Sequence, residues 1–197
     1  KADSVLFDAT VKAGILATSF QRDSLALAYF TAALQTQQKG NQLSDSLLFI
    51  PYLFAGNAQY NLFNYDTALV LYNQAEKILD KYPAMPEAER LYNKTGVLYY
   101  ESGDYKKSIL YFRKALSIIE QSGPEKQYLV ITYKNNIASV LRKSGNYEEA
   151  LTLYKGLLQY NMTTDELRHN IGVTYLDAGN YEEAISWLKK VRYENAA

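Results

Sequence analysis

Small and large residues recur along this chain at offsets that belong to helices. Ala26, Ala68, Ser108, Ala150 and Ala184 are each followed four positions later by a large residue, namely Phe30, Tyr72, Phe112, Tyr154 and Leu188. Residues four apart share one helix face, so each pair predicts the buried face of a helix. Twelve positions upstream of each small residue stands another one: Gly14, Gly56, Gly96, Ala138 and Gly172. A small residue there lets a second helix approach closely. The two helices are joined by Gly103-Asp104-Tyr105, Gly145-Asn146-Tyr147 and Gly179-Asn180-Tyr181. Phe63-Asn64-Tyr65 has lost only the glycine, and Gln21-Arg22-Asp23 is a degenerate fifth copy. In such a turn the glycine ends the first helix at positive φ, and Asp or Asn is expected to cap the next.

The pattern therefore predicts five helical hairpins, with helices over 4–19, 23–38, 44–61, 65–81, 87–102, 105–121, 126–143, 147–160, 164–178 and 181–193. Gln38 to Gln42, Pro83 to Pro86 and Ser122 to Pro124 break the pattern between hairpins. Pro51, inside the third helix, is expected to kink it or to mark a late start. The small residues of the second helices are spaced by 42, 40, 42 and 34 residues.

These residues resemble the tetratricopeptide repeat, and the resemblance covers nearly the whole chain. The matching positions are Gly96 with Tyr99 and Gly172 with Tyr175 in the first helix of a hairpin. In the second helix they are Ala68, Tyr72 and Ala75, and Ser108, Phe112 and Ala115. Gln59 and Leu141 stand where the family has tyrosine, and Leu157 and Val191 where it has the final alanine. The family's common period is about 34 residues. The longer spacing resembles the variant of kinesin light chains and some bacterial regulators. The fold implied is all-α, a right-handed superhelix of five hairpins forming one array over 1–197, with repeats at 4–38, 44–81, 87–121, 126–160 and 164–193.

Composition acts mainly by exclusion. Apolar residues make up 48% of the chain and charged residues 21%, as in a globular protein. The 21 basic and 21 acidic residues cancel, and neither half departs from balance, so the electrostatic footprint of a nucleic-acid binder is missing. The longest apolar stretch, Leu47 to Gly56, is too short to span a bilayer. There is no cysteine, which removes disulfides and thiolate chemistry and leaves the compartment, cytoplasmic or periplasmic, undecided. The chain opens on Lys1, as expected if an upstream segment has been removed.

The resemblance implies a concave wall lined by the first helix of each repeat. Its groove positions map to Asn57 and Tyr60 in repeat two, and to Asn93, Val97 and Tyr100 in repeat three. Repeat four supplies Asn135, Asn136, Ser139 and Arg142, and repeat five His169, Asn170 and Val173. In the related long-repeat proteins asparagines on this wall bind the backbone of an extended peptide. An amide both donates and accepts, so it satisfies a peptide unit without reading its sequence. The alternative is that these asparagines hydrogen-bond between neighbouring helices. The clamp for chaperone C-terminal carboxylates is not expected, because Val97 and Glu166 occupy two of its positions.

Nothing in the chain marks an enzyme. His169 is the single histidine, and no cysteine, nucleophile motif or second metal-ligating residue is spaced to work with it. It reads as a polar groove contact, and no metal or cofactor is implied. Of the 19 tyrosines, Tyr65, Tyr105, Tyr147 and Tyr181 hold the turn, Tyr72 and Tyr154 hold the core, and only Tyr60 and Tyr100 face the groove. The sequons at Asn93 and Asn161 read as chance. Trp187, Leu188 and Val191 end the array without a solvating helix, so the chain is expected to be a fragment of a longer protein or to self-associate through its C-terminal repeat. Two functions follow: an interaction scaffold that binds an extended peptide or a partner helix, or a sensor segment of a larger bacterial signalling or protease-like protein.

Overall fold

The computed structural model describes residues 2–38, 44–160 and 164–191. Among the described residues there are ten α-helices and no strand: α1 (Ala2–Ser19), α2 (Asp23–Gln38), α3 (Phe49–Asn61), α4 (Tyr65–Lys81), α5 (Ala88–Glu101), α6 (Tyr105–Ile119), α7 (Gln127–Lys143), α8 (Tyr147–Leu157), α9 (Thr164–Asp177) and α10 (Tyr181–Leu188). The all-α helical-repeat fold class expected from the sequence is the one observed. The chain divides into two compact units, 1–98 and 99–197, and the division runs through α5. In the first unit α1 packs on α2, α2 on α3 and α3 on α4. In the second the same order joins α6 to α7, α7 to α8, α8 to α9 and α9 to α10.

Each hairpin closes as the turn chemistry dictates. Gly103, Gly145 and Gly179 sit at φ 78°, 85° and 80°, the left-handed region where glycine has no steric cost. Phe63 and Gln21 hold the same place without glycine and still adopt φ 63° and 56°. The fold therefore imposes the turn even on residues that resist it. The expected capping is only partly present. Asp104 accepts from the Lys107 N–H at 3.1 Å, whereas Asn64, Asn146 and Asn180 make no side-chain cap bond. Asn64 instead donates to Gln59 Oε1 at 2.8 Å, back toward the end of α3. An amide can donate in that direction and a carboxylate cannot.

Two boundaries differ from expectation by five residues, the others by three or fewer. The third predicted helix opens with a 3₁₀ turn over Asp45–Leu48, and the α-helix proper begins at Phe49. Pro51 then falls in its first turn, where its missing N–H costs nothing, so the late start is realised and not the kink. The last helix ends at Leu188, and the remainder of the predicted 181–193 segment beyond Val191 lies outside the described residues. The sequon at Asn161 lies outside them as well.

The core lies where the repeat places it. Ala26, Phe30, Ala68, Tyr72, Ser108, Phe112, Ala150 and Tyr154 are all buried. The close approach shows most directly at Gly56, where a Cβ would stand 2.5 Å from the Tyr72 ring, and at Gly172, where it would stand 2.7 Å from Leu188. Leu141 and Leu157, which depart from the family pattern, are each 2% exposed and pack as ordinary core residues. In the second unit Tyr99 stacks on Tyr111 with ring centres 5.4 Å apart.

Candidate functional site

In the second unit the first helices of neighbouring hairpins, α7 and α9, lie against each other and bring the predicted asparagines together. Asn170 Nδ2 donates to Asn135 Oδ1 at 3.2 Å, and Asn135 Nδ2 donates to Glu166 Oε1 at 3.4 Å. Both asparagines are half-exposed. Two turns further along α7, Arg142 pairs with Asp177 of α9 at 2.6 Å. Burial opposes the Arg142 charge, but the Asp177 bond and the Tyr154 hydroxyl outweigh it and hold the guanidinium more firmly protonated than usual. Its Nε is buried with no partner. Tyr100 lies within the field of Arg142, and burial pushes its phenol up while Arg142 pulls it down. His169 is exposed and Val173 half-buried on the same helix. Asn136 is half-buried and engaged with other groups of the protein.

Ser139 and Asn57 prove to have a structural partner. Tyr72 donates its hydroxyl to Asn57 Oδ1 at 2.8 Å, and Ser139 Oγ and the Tyr154 hydroxyl lie 2.8 Å apart. Burial of the Tyr72 ring, which is 1% exposed, pushes its phenol well above the ordinary tyrosine range, and nearby Tyr60 adds to this. A buried hydroxyl without a partner costs about 1–3 kcal/mol. The chain itself carries the rule. Where the second helix has a core tyrosine, the first has Asn57 or Ser139; where it has Phe30, Phe112 or Leu188, the corresponding residue is Ile15, Val97 or Val173.

In the first unit the predicted residues are more dispersed. Tyr60 faces Tyr65 at 5.3 Å between ring centres, and Lys94 of α5 places its ammonium 5.7 Å from the Tyr60 ring. Burial, and then Arg90 one turn away, lower the Lys94 pKa. Asn93 and Val97 are half-buried, and Asn93 is engaged with other groups. The first unit also holds a groove of about 600 Å³, lined by Val5, Val11 and Ile15 of α1 with Leu47, Ile50 and Met85. It is mainly apolar, and the Asp8–Lys12 ion pair at 2.6 Å crosses its rim.

Several of these residues carried no sequence signal. Asp177 was visible only as an acidic residue about one repeat downstream of Arg142, and Glu166 only as a residue that breaks the carboxylate clamp, not as a partner of Asn135. The α1 groove was hidden because repeat one is degenerate. Among the described residues no group of three His, Cys, Asp or Glu is placed to hold a metal, and no helix is long and apolar enough to cross a membrane.

Stacked helical hairpins with small-residue contacts and Gly-Asn-Tyr turns define a helical-repeat interaction scaffold. Residues 87–158 and 128–192 match the tetratricopeptide repeat model, and the chain belongs to that family. Regulatory protein RapG of Bacillus subtilis is 34% identical over 110 residues, 55% of this chain and 28% of RapG. The anaphase-promoting complex subunit CDC16 of Saccharomyces cerevisiae is 26% identical over 95 residues, 48% of this chain and 11% of that protein. The chain thus spans under a third of either relative. Among solved structures, a putative kinesin light chain of Podosopora anserina with nearly identical TPR-like repeats superposes with a TM-score of 0.76 at 14% identity, covering 94% of this chain and 92% of that one. YrrB, described as a TPR protein with an unusual peptide-binding site, gives 0.68 at 20% identity over 92% and 82%. At these identities the structural likeness speaks for the fold alone.

Proposed function

We propose that the second unit holds an extended peptide of a partner protein against the shared face of α7 and α9, and that the chain catalyses nothing. The observation that carries this is the Asn170–Asn135–Glu166 chain. Its bonds of 3.2 and 3.4 Å are long for amide hydrogen bonds. Each amide retains donor capacity beyond the bond it makes, so a peptide unit can bind beside the ladder or replace its weakest link. Both expected roles of these asparagines are therefore compatible: they bridge two helices and offer a peptide their remaining valences. Tyr100 and Arg142 supply an aromatic surface and a fixed positive charge at one end. His169 lies on the exposed side of α9 as a polar contact and has no nucleophile to serve. With balanced charge, the proposed partner is a protein or peptide and not a nucleic acid.

Selection of a random-peptide display library on the wild-type chain and on Asn135→Ala/Asn170→Ala tests this reading. Families of peptides recovered by the wild type and lost by the double variant support it. Equal recovery by both chains removes the ladder from the site.

The match to RapG, a regulatory protein, favours a second reading in which the chain is the sensing segment of a larger bacterial protein and its ligand is another part of that protein. Self-association is a further interaction we propose, its surface being the exposed side of α10.

A further inference from the structure

Two cations of α5 rest on aromatic rings of α3. Arg90 lies 5.6 Å from the centre of the Phe54 ring, and Lys94 lies 5.7 Å from that of Tyr60. Arg90 also meets a carboxylate, that of Glu87 at 2.9 Å. Lys94 is half-buried, yet among the described residues no carboxylate pairs with it. Burial withdraws water from an ammonium, and an opposite charge normally offsets the loss. Lys134 follows that rule: its side chain is 29% exposed and it meets Glu120 at 2.9 Å.

The repeat shows what has been exchanged at Lys94. Lys12 and Lys94 each stand two residues before the small residue of a first helix, Gly14 and Gly96. Four residues before Lys12 is Asp8, which pairs with it at 2.6 Å. Four residues before Lys94 is Arg90, whose charge opposes that of Lys94. The acid that neutralises the lysine in repeat one is thus replaced by a second cation in repeat three. A further donor stands close by. The Tyr72 hydroxyl donates to Asn57 Oδ1, so the amide turns its NH2 away from that hydroxyl. This NH2 has no acceptor among the described residues. Asn57 and Tyr60 lie one turn apart on the same face of α3, and the Tyr60 ring carries Lys94.

We propose that Lys94 and Asn57 bind the side-chain carboxylate of an aspartate or glutamate in a partner peptide, at a site that shares no residue with the asparagine ladder of α7 and α9. The ammonium and the amide NH2 are both donors, so only an acceptor satisfies the pair, and the charge requires an anion. Glu87 already neutralises Arg90, which leaves one positive charge to be met. A carboxylate balances it and a doubly charged phosphate does not.

Selection of the random-peptide library on wild type, Lys94→Met and Asn135→Ala/Asn170→Ala tests this. A peptide family with a fixed Asp or Glu is expected to be recovered by the wild type and by the asparagine double variant, and lost by Lys94→Met. Failure of the α7–α9 reading shows separately, as no family lost by the double variant. Lys94→Met keeps an unbranched stem on the Tyr60 ring, and far-ultraviolet circular dichroism checks that it folds. One recovered peptide, made with an amidated C-terminus, is expected to keep its affinity for the wild type in fluorescence anisotropy. Replacing its acidic residue by the corresponding amide is expected to weaken binding at least about tenfold, a result that needs no variant of the protein. The absence of any Lys94-dependent family, or Lys94-dependent peptides without a fixed acid, overturns the proposal. Loss of binding on amidation of the C-terminus overturns it too, because the carboxylate is then a chain end and not a side chain.

Discussion

The pairing of Tyr72 with Asn57 predicts an uneven set of substitution costs. Asn57→Val leaves a phenol hydroxyl with its ring 1% exposed and its 2.8 Å acceptor removed. The expected loss is about 1–3 kcal/mol, the range for orphaning a buried polar group. Tyr72→Phe removes the hydroxyl and leaves Asn57, half-exposed, free to bond water, so the loss is smaller, about 0.5–1.5 kcal/mol. The double variant Asn57→Val/Tyr72→Phe recreates the Val97 and Phe112 combination of repeat three. It is expected to lie within about 1 kcal/mol of wild type, because removing both partners together leaves nothing unsatisfied. The coupling read from the cycle is then about 1–2 kcal/mol. Urea unfolding followed by circular dichroism, compared at equal m-values, measures all four chains. For a chain of this size the Asn57→Val loss corresponds to a fall in Tm of roughly 2–4 °C per kcal/mol. Additive costs, with the double variant as unstable as the two single changes combined, would refute the argument that Asn57 is retained for the Tyr72 hydroxyl.

Three other outcomes follow from the geometry. Phe63→Gly is expected to raise stability by up to about 1 kcal/mol in urea unfolding, because Phe63 is 78% exposed and held at φ 63° where three other hairpins use glycine. Gly172→Val is expected to cost about 1–3 kcal/mol, since its Cβ would meet Leu188 at 2.7 Å and the Ala184 carbonyl at 3.3 Å; an unchanged midpoint contradicts that. The Lys107 side chain, and then its backbone N–H, hold the Asp104 carboxyl below its usual range. A carboxyl depressed on folding stabilises above its unfolded pKa and loses that contribution as pH falls through the folded value, so the effect fades below about pH 4. Asp104→Asn is expected to flatten that acid limb of the stability–pH profile and to leave its shape near neutrality unchanged.

The fold was legible because each hairpin is specified locally, by a small residue, a turn and an aromatic at fixed offsets that all agree. What the local pattern could not resolve was whatever depends on a neighbouring repeat. Asn135 and Arg142 were identifiable as candidate groove positions, but their bonds to Glu166, Asn170 and Asp177 arise only when α9 lies beside α7. Asn57 and Ser139 looked like ligand-binding residues because a polar side chain on a first helix has two possible uses. The Tyr72 and Tyr154 hydroxyls show that each has a partner within its own hairpin. At the C-terminus, Trp187 drew attention by size, yet it is half-buried with the Lys190 ammonium 4.1 Å from its ring, while Ile185 and Tyr181 carry the exposed surface. The larger omission was at the other end, where repeat one had lost its turn motif and its apolar face went unread.

The central claim is that the α7–α9 face receives a peptide through its asparagines. Nuclear magnetic resonance on the chain with labelled asparagine side-chain amides, titrated with a library-selected peptide, tests it most directly. The account predicts that the Asn135 and Asn170 NH2 resonances move together and saturably, with the same midpoint as the peptide's own signals. Saturable binding that leaves both amides unmoved, and shifts residues of the α1 groove instead, would contradict it.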